Sequence, residues 1–432
     1  MNITADTLLP ELLRDRPASR AVLNRYGLAG CGGRQGPHES VGFFARAHQV
    51  DLATLLEELR QAAESGRPVE PFAEGAADTI YRGFFRAGIV SMFTAGGLFG
   101  AVLLAILAWR GDLTSLDLRA AIWAHAHAQI AGWVTFFVMG FGYQAFPRFK
   151  QVKLAWPRLA AATLPIMAAG LALRVAAGFA DQTALGQIAG AAGGAAELTA
   201  VACFIAILAK TWSRALQPRQ LWEYYVFAAL GWMLLAFVVD IAIFAASAQP
   251  GSEKEWIDFI ALYDAPWRDM QLLGFAGGMI LGVSQRFLPF IYGFREVPRR
   301  LAVGGLWLWN GAVAAEILLY MAFMQTHQPQ LGVAWLAAVA AMPVCVLLLV
   351  QGMGVFGRCE ESDRSLPFIR AAFAWAFVAF LMLLLTPLYS YAVGQPFSHA
   401  WFGAFRHALT VGFISLMIVG VSSKVAPGSC WR

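Results

Sequence analysis

The sequence has little charge and few cysteines for its length. Only 14% of its 432 residues are charged and 59% are hydrophobic, whereas soluble domains carry roughly 25% charged residues. This composition excludes a large soluble enzyme or a disordered chain, and it predicts a polytopic membrane protein in contact with a lipid bilayer. Five scattered cysteines are too few for a disulfide framework. A formal net charge of only +5 argues against nucleic acid as a partner.

Apolar runs follow one another from residue 81 to the end, without the alternation typical of strands. We predict an all-α membrane bundle of about ten spans over residues 81–432. The spans are expected at 86–109, 119–146, 157–179, 185–209, 221–247, 269–292, 303–325, 332–354, 367–393 and 401–426.

The first 65 residues have a different character. They are charged and mixed, and Leu52, Leu55 and Leu59 keep helical spacing. Residues 1–65 therefore predict a small helical domain, and residues 66–80, with two prolines, predict a linker.

The charges of the loops predict the orientation of the chain. Lys and Arg concentrate after the second, fourth and sixth spans, whereas the connection after the fifth span is acidic, with Glu253, Glu255, Asp258 and Asp264. Cytoplasmic loops carry an excess of Lys and Arg. We therefore expect both termini, and the small domain, on the cytoplasmic side of a bacterial-type inner membrane.

Spans two, six and ten carry a sequence repeat. The segments HAHAQIAGWVTFFVMGFGYQAFP, RDMQLLGFAGGMILGVSQRFLP and RHALTVGFISLMIVGVSSKVAP align on Gly132, Gly274 and Gly412. In each copy a second glycine follows after eight residues, and a proline follows seven residues later. The copies are 142 and 138 residues apart. This spacing predicts a pseudo-three-fold bundle, in which the small residues let helices approach closely.

A polar residue stands five positions before the first glycine of each copy: His127, Asp269 and His407. Polar groups at this depth are costly and usually functional. Two histidines at one depth on related helices are typical of a planar cofactor bound from both faces, and haem iron takes axial histidines. We predict a haem between His127 and His407, with Arg406 or Arg174 near its propionates. Polar packing is the competing interpretation.

Two further histidines lie close to this pair in sequence. His125 points to nearly the opposite face of the helix from His127, so the two cannot bind one iron. It could serve a second metal, a second haem or a hydrogen bond. His125 and His399 together form a candidate copper site near the outer mouth, although a surface position is the favoured interpretation of His399. The candidate metal ligands are thus His125, His127, His399 and His407.

The second span and its flank, HAHAQIAGWVTFFVMGFGYQAFPRF, resemble the His-x-His…Gly-Trp…Pro-Arg signature of the NnrS family. NnrS proteins are similar to subunit I of the haem-copper oxidases, in which helices two and ten hold a low-spin haem. The resemblance covers residues 80 to 430 and implies haem b, copper and a connection with nitric oxide and nitrosative stress. Spans six and seven offer Asp269, Gln271, Asn310 and Glu316 but no histidine. Dioxygen reduction at a standard binuclear centre is therefore not expected.

The small domain resembles another family. Its CGG sequence and the segment ESVGFFARAHQVDLATLLEEL resemble the Cys-Gly-Gly helical domain that precedes iron-sulfur-repair proteins of the ScdA type. That domain commonly has paired cysteines, whereas Cys31 stands alone here. Cys31 is a candidate redox thiol, and a remnant without function is the alternative.

Three functions remain open from the sequence. The first is a haem-binding NnrS-type protein that responds to nitric oxide or protects against nitrosative stress. The second is a respiratory relative that transfers electrons or reduces nitric oxide, for which a second metal site is needed. The third is a metal or haem transporter, which lacks the inverted repeat of the usual kind.

Overall fold

In the computed structural model the described residues are 2–28, 36, 39–48, 50–64, 76–111, 118–150, 152–181, 183–215, 217–358, 365–395 and 397–425. Within them the chain is helical, apart from turns and one isolated bridge between Leu8 and Ser40. The small domain contains α1 (Leu9–Asp15), α2 (Ser19–Arg25), α3 (Val41–His48) and α4 (Leu52–Glu64).

The described residues from 76 onward form a bundle of ten long helical segments. They are α5 (76–110), α6 (119–149), α7 (Pro157–Gly178), α8 (Ala184–Ser213), α9 (Leu221–Ser247), α10 (253–292), α11 (Arg299–Thr326), α12 (Pro329–Met353), α13 (Leu366–Leu384) with the short α14 (Thr386–Val393), and α15 (399–425). Eight of them are long and apolar enough to cross a membrane. The chain is therefore an all-α, multi-pass membrane protein, as predicted.

The two remaining helices, α6 and α10, are less hydrophobic than the other eight, because they carry polar residues that face the interior of the bundle. His127, Arg268 and Asp269 are each less than 5% exposed. A polar side chain in a membrane protein is tolerated when it faces the bundle interior and pairs with another protein group. α10 also begins sixteen residues earlier than predicted, at Glu253. The acidic stretch expected as an outer loop is thus helical, and its Asp264 is buried beside Arg268.

The pseudo-three-fold repeat appears in the backbone itself. Each repeat helix contains a π-helical segment at the same point: Ala128–Val134 in α6, Met270–Gly277 in α10 and Ala408–Ser415 in α15. Their first residues have the same 142 and 138 residue offsets as the repeat glycines. π-Helical turns inside α-helices are rare and frequent at functional sites.

The first glycine of each repeat lets a neighbouring helix pack closely against the repeat helix, and the three neighbouring helices are equivalent. A Cβ atom at Gly132, Gly274 or Gly412 would meet Ser91 of α5, Trp232 of α9 or Trp375 of α13 at under 3 Å. These three partners belong to spans one, five and nine, which are four helices apart. The small residues therefore hold one helix of each repeat against its neighbour.

Replacement of Gly282 by alanine is expected to destabilise the protein by about 1–3 kcal/mol, because overpacking displaces rigid neighbours. A Cβ atom there would lie 2.7 Å from Tyr225 Cβ and 3.2 Å from the Trp222 carbonyl oxygen. Gly311→Ala is the matched control, since a Cβ atom at Gly311 would meet no other atom within 4 Å. Thermal unfolding in detergent measures the stability of both variants. Equal unfolding midpoints for Gly282→Ala and Gly311→Ala would contradict the packing role of Gly282.

The small domain has a core of its own and contacts the bundle through α3. Leu9, Leu23, Phe44 and Leu59 are fully buried in this separate core. Phe43, on the other side of α3, packs against the large membrane core, and α3 contacts α10. The small domain thus docks on the end of the bundle that carries Arg148 and Arg286.

Docking of the small domain is expected to weaken as the pH falls. Burial, together with the positive charges of Arg148 and Arg286, lowers the pKa of His48 to about 4. His48 is therefore neutral when docked, and undocking removes the positive charges of Arg148 and Arg286 from its surroundings, which raises its pKa towards the ordinary value near 6.5. Protonation favours the undocked state below about pH 6.5, by up to ~1.4 kcal/mol per pH unit down to the lowered pKa.

Distances between spin labels on α4 and α11, measured from neutral to mildly acidic pH, check this expectation. His48→Gln is expected to remove the pH dependence while it keeps a neutral side chain at the interface. A wild-type distance distribution that does not change over this range would show that the His48 charge does not control docking.

Two cavities lie end to end between the repeat helices. The outer cavity is lined in part by Ile130, Leu272 and Thr410, and has a volume of about 440 Å³. The inner cavity is almost wholly apolar, has a volume of about 80 Å³, and is lined by the residues four positions further along each helix: Val134, Ala276 and Ile414. One helical turn separates the two sets.

Candidate cofactor and metal sites

The three predicted polar positions lie at one structural point of the repeat. His127, Asp269 and His407 each end an α-helical stretch immediately before a π-helical segment. Each faces a different group of helices. His127 contacts Glu197 of α8, Asp269 lies close enough to Glu316 of α11 for their charges to interact, and His407 lies beside His125 of α6.

His125 and His407 form a pair of facing imidazoles, the His125–His407 pair. Their ring centroids are 6.3 Å apart and their planes differ by 11°. Nδ1 of His125 is 2.9 Å from the Gly96 carbonyl oxygen, and Nδ1 of His407 is 2.7 Å from the Gly403 carbonyl oxygen. A histidine that donates from Nδ1 to a carbonyl is held in the tautomer whose Nε2 can bind a metal.

The distance between the two ring centroids is close to the distance expected if both Nε2 atoms bound one metal ion from opposite sides. A metal–imidazole nitrogen bond of about 2.0–2.1 Å at each end, plus the radius of each ring, places two opposed centroids about 6 Å apart. Within the described part of the chain, neither Nε2 atom makes a hydrogen bond. Both rings line the outer cavity of about 440 Å³, a size within the usual range of about 300–1,000 Å³ for cofactor pockets.

Two arginines give this cavity positive charge. Arg268 and Arg406 both line it and share one carboxylate, Asp264, at 3.3 and 3.4 Å. Nε and Nη2 of Arg406 are buried and have no hydrogen-bond partner. Guanidinium groups with free donors suit carboxylates such as the propionates of a haem. The histidine pair, the cavity and these cations together fit a bis-histidine haem.

The structure does not bring His127 and His407 together as predicted: it places His125 beside His407, and His127 beside Glu197. In a rotationally symmetric ring, equivalent side chains point the same way around the ring, so contacts between neighbours join non-equivalent positions. His125 precedes His127 by two residues and therefore lies on the opposite flank of α6. That flank faces back towards α15.

His127 belongs instead to a buried polar group, the His127 cluster, with Glu197, Asp240 and Arg174. Its Nε2 is 3.0 Å from both Glu197 carboxylate oxygens, and its Nδ1 is 3.8 Å from Asp240 Oδ1. Arg174 binds Asp240 through Nε and Nη2 at 3.0 and 2.9 Å. Arg174 is thus bound to Asp240, and it is not among the residues that line the outer cavity, where the sequence predicts it near the haem propionates.

The His127 cluster is the one group of three potential metal ligands that converges in the described ranges. Ligand atoms of His127, Glu197 and Asp240 lie within 4.8 Å of one another. A histidine with two carboxylates is a donor set for iron, manganese or zinc rather than for a soft copper(I) ion. If His127 is protonated, the two positive and two negative charges already balance. The cluster can therefore hold a metal or serve as a closed ion-pair network.

His399 lines the same cavity as the His125–His407 pair. It is the first residue of α15, and its Nδ1 is buried without a hydrogen-bond partner. A copper site shared by His125 and His399 thus has both side chains at one cavity. The candidate redox thiol Cys31 lies outside the described residues, and Cys345 is buried with its thiol 3.4 Å from the Gly305 carbonyl oxygen.

Two partners were missed from the sequence. Asp264 and Arg268 were assigned to an outer loop and its border, although their spacing of four residues is the spacing of an ion pair on one helix. Glu197 was considered as an isolated buried acid, because nothing in the sequence shows that α8 and α6 bring it to His127.

Comparison with known proteins gives one family. No curated protein matches the chain. The family model described as "NnrS protein" matches residues 83–429, which is almost the whole membrane bundle and includes all three polar sites. The chain therefore belongs to the NnrS family.

Proposed function

We propose that this NnrS-family protein binds a haem b between His125 and His407 and acts in the response to nitric oxide. The observation that carries the proposal is the pair of facing imidazoles with both Nδ1 atoms anchored to backbone carbonyls. The connection with nitric oxide comes from the family resemblance. When bound, the haem would supply a reversible one-electron centre.

The ligand set favours electron transfer over direct gas binding. A haem with two axial histidines has no open coordination position, and such sites serve electron transfer or structure. Arg268 and Arg406 would orient the propionates, and Trp123 also lines the cavity. The residues of the chain would thus bind and orient the cofactor.

The test is the haem content and the reduced-minus-oxidised visible spectrum of the purified protein with and without nitric oxide. A low-spin spectrum that remains after anaerobic addition of nitric oxide supports an electron-transfer role. Immediate replacement of the low-spin bands by those of a nitrosyl haem would show that one histidine is displaced, and would favour a sensor. A haem-free protein from a haem-sufficient host would exclude both.

The His127 cluster favours a second candidate, a respiratory relative that reduces nitric oxide. Such a reaction needs a second metal, and the ligand atoms of His127, Glu197 and Asp240 converge. Metal analysis of the wild type and of His127→Ala, with nitric oxide consumption from an electron donor, separates the candidates. Non-haem iron, manganese, zinc or copper lost in His127→Ala would support the reductase, whereas its absence from the wild type would exclude this site.

We place the protein in a bacterial-type inner membrane with both termini in the cytoplasm. The support is the concentration of Lys and Arg in the loops after the even-numbered spans. Single cysteines introduced at Gln328 and at Arg219, in a variant without the five native cysteines, test it with a membrane-impermeant thiol reagent. Labelling of Arg219→Cys but not of Gln328→Cys in intact cells would reverse the orientation.

A further inference from the structure

The third polar site of the repeat, the Asp269 cluster, consists of Asp269 on α10, Glu316 and Tyr320 on α11 and Arg406 on α15. Asp269 and Glu316 are each 1% exposed and Tyr320 is 3% exposed. Among the described residues, Asp269 Oδ1, Glu316 Oε2 and the Tyr320 hydroxyl have no hydrogen-bond partner, and the same is true of Nε and Nη2 of Arg406. Unpaired polar atoms in a protein interior cost free energy unless water or a ligand satisfies them.

These unpaired atoms belong to one place in the bundle. Trp335 of α12 donates to Glu316 Oε1 at 3.0 Å, and the Tyr320 ring packs against Trp335 and Phe402 with centroids 5.6 and 5.8 Å apart. Asp269 and Arg406 lie close enough to Glu316 and to Tyr320 for their charges to act on both. The set contains donors and acceptors, which is what ordered water requires.

The charges at this site do not balance. Asp264, Asp269 and Glu316 supply three carboxylates, whereas Arg268 and Arg406 supply two positive charges and both bind Asp264. Asp240, the next acid near Arg268, is already bound by Arg174. Among the described residues, His125 and His399 also lie near these two arginines, and His407 lines the same cavity. The charges that act on Glu316 are those of Asp269 and Arg406. An uncompensated buried charge is strongly unfavourable, so a proton or a monovalent cation must balance the pair of acids.

We propose that Asp269 and Glu316 hold one proton between them, through ordered water that also binds the Tyr320 hydroxyl. The site takes this proton from water and returns it to water. Arg406 lines the haem cavity and also faces the two acids, so a change of charge in the cavity changes their affinity for the proton. This coupling rests on the proposed haem function, whereas the held proton itself does not.

Infrared spectroscopy of the full-length purified protein, in H₂O and D₂O, tests the proposal. The carbonyl stretch of a protonated carboxyl group is distinct from the bands of a carboxylate and shifts in D₂O. We expect one such signal to be lost in Asp269→Asn and in Glu316→Gln, and to shift in Tyr320→Phe, which keeps the ring against Trp335. Asp258→Asn, an exposed acid on the same helix, is the control and is expected to keep the signal.

Two further measurements distinguish a bound proton from a bound cation. The signal is expected to persist, at a shifted position, in His125→Ala, so a protein without haem can still confirm the proton. It is also expected to be independent of whether sodium or a bulky organic cation is present. A spectrum that neither Asp269→Asn nor Glu316→Gln alters, or a site that needs sodium for stability, would overturn the proposal and indicate a bound cation.

Discussion

Alanine at His125 or at His407 is expected to reduce the haem content of the purified protein to background, whereas alanine at His127 is expected to leave it unchanged. The first two histidines face each other across the outer cavity with their Nδ1 atoms anchored. Without either ring, a haem in this cavity would be held by one histidine rather than two. His127 is bound to Glu197 and lies on the other flank of α6. Haem extraction and the reduced-minus-oxidised spectrum measure the effect.

Two controls make this result specific. His399→Ala removes a histidine that lines the same cavity outside the facing pair, and it is expected to retain the low-spin haem. His125→Gly and His407→Gly leave space for free imidazole, and its addition is expected to restore the low-spin bands. Loss of haem in His127→Ala together with its retention in His125→Ala would reject the pairing seen in the structure.

Removal of one partner from the ion pair of Arg174 and Asp240 is expected to cost about 3–5 kcal/mol, because the other charge stays buried and unpaired. Both side chains are at most 2% exposed, and two hydrogen bonds of 2.9 and 3.0 Å join them. Arg174→Met and Asp240→Leu are the single variants. The double variant is expected to recover most of the loss, since apolar pairs often replace buried ion pairs without cost. Unfolding in mixed detergent micelles measures each free energy.

The control is the pair of Arg25 and Glu58, whose closest N and O atoms are 3.0 Å apart and whose side chains are 65% and 29% exposed. Arg25→Met is expected to cost about 1 kcal/mol or less, as is usual for solvent-exposed pairs. A double variant of Arg174 and Asp240 that is as unstable as the two single variants combined would show that the charges do not interact. The cluster would then contribute through packing alone, for example through Arg174 over the ring of Phe244 at 3.8 Å.

The helical architecture could be predicted from hydropathy, because a membrane span needs about 20 apolar residues and each run has this length. The repeat could also be predicted, since Gly132, Gly274 and Gly412 recur at fixed spacing and contact equivalent helices. The limits of α10 could not be predicted from hydropathy. Asp264 and Arg268 lower its mean hydropathy, although they pair inside the bundle.

The sequence predicts where the candidate site residues lie along their helices, but not which residues they contact. His127, Asp269 and His407 do occupy one point of the repeat, before the π-helical segments. Because these positions are equivalent, the sequence suggests a direct contact between His127 and His407. Rotational symmetry disfavours that contact, since equivalent side chains point the same way around the ring. A consideration of the direction of each side chain around the ring would have favoured His125 as the residue opposite His407.

An all-α membrane protein with three related helices, and with polar residues at one depth in each, can be predicted without a structure. Those properties depend on composition and spacing along a single chain. Which polar groups meet is seen only in the folded bundle: His125 with His407, His127 with Glu197, and Asp269 in a cluster with Glu316. These contacts join residues 47 to 282 positions apart in the sequence, and they depend on how each helix is rotated about its axis. That rotation is set by the packing of ten helices together, so no single span contains the information.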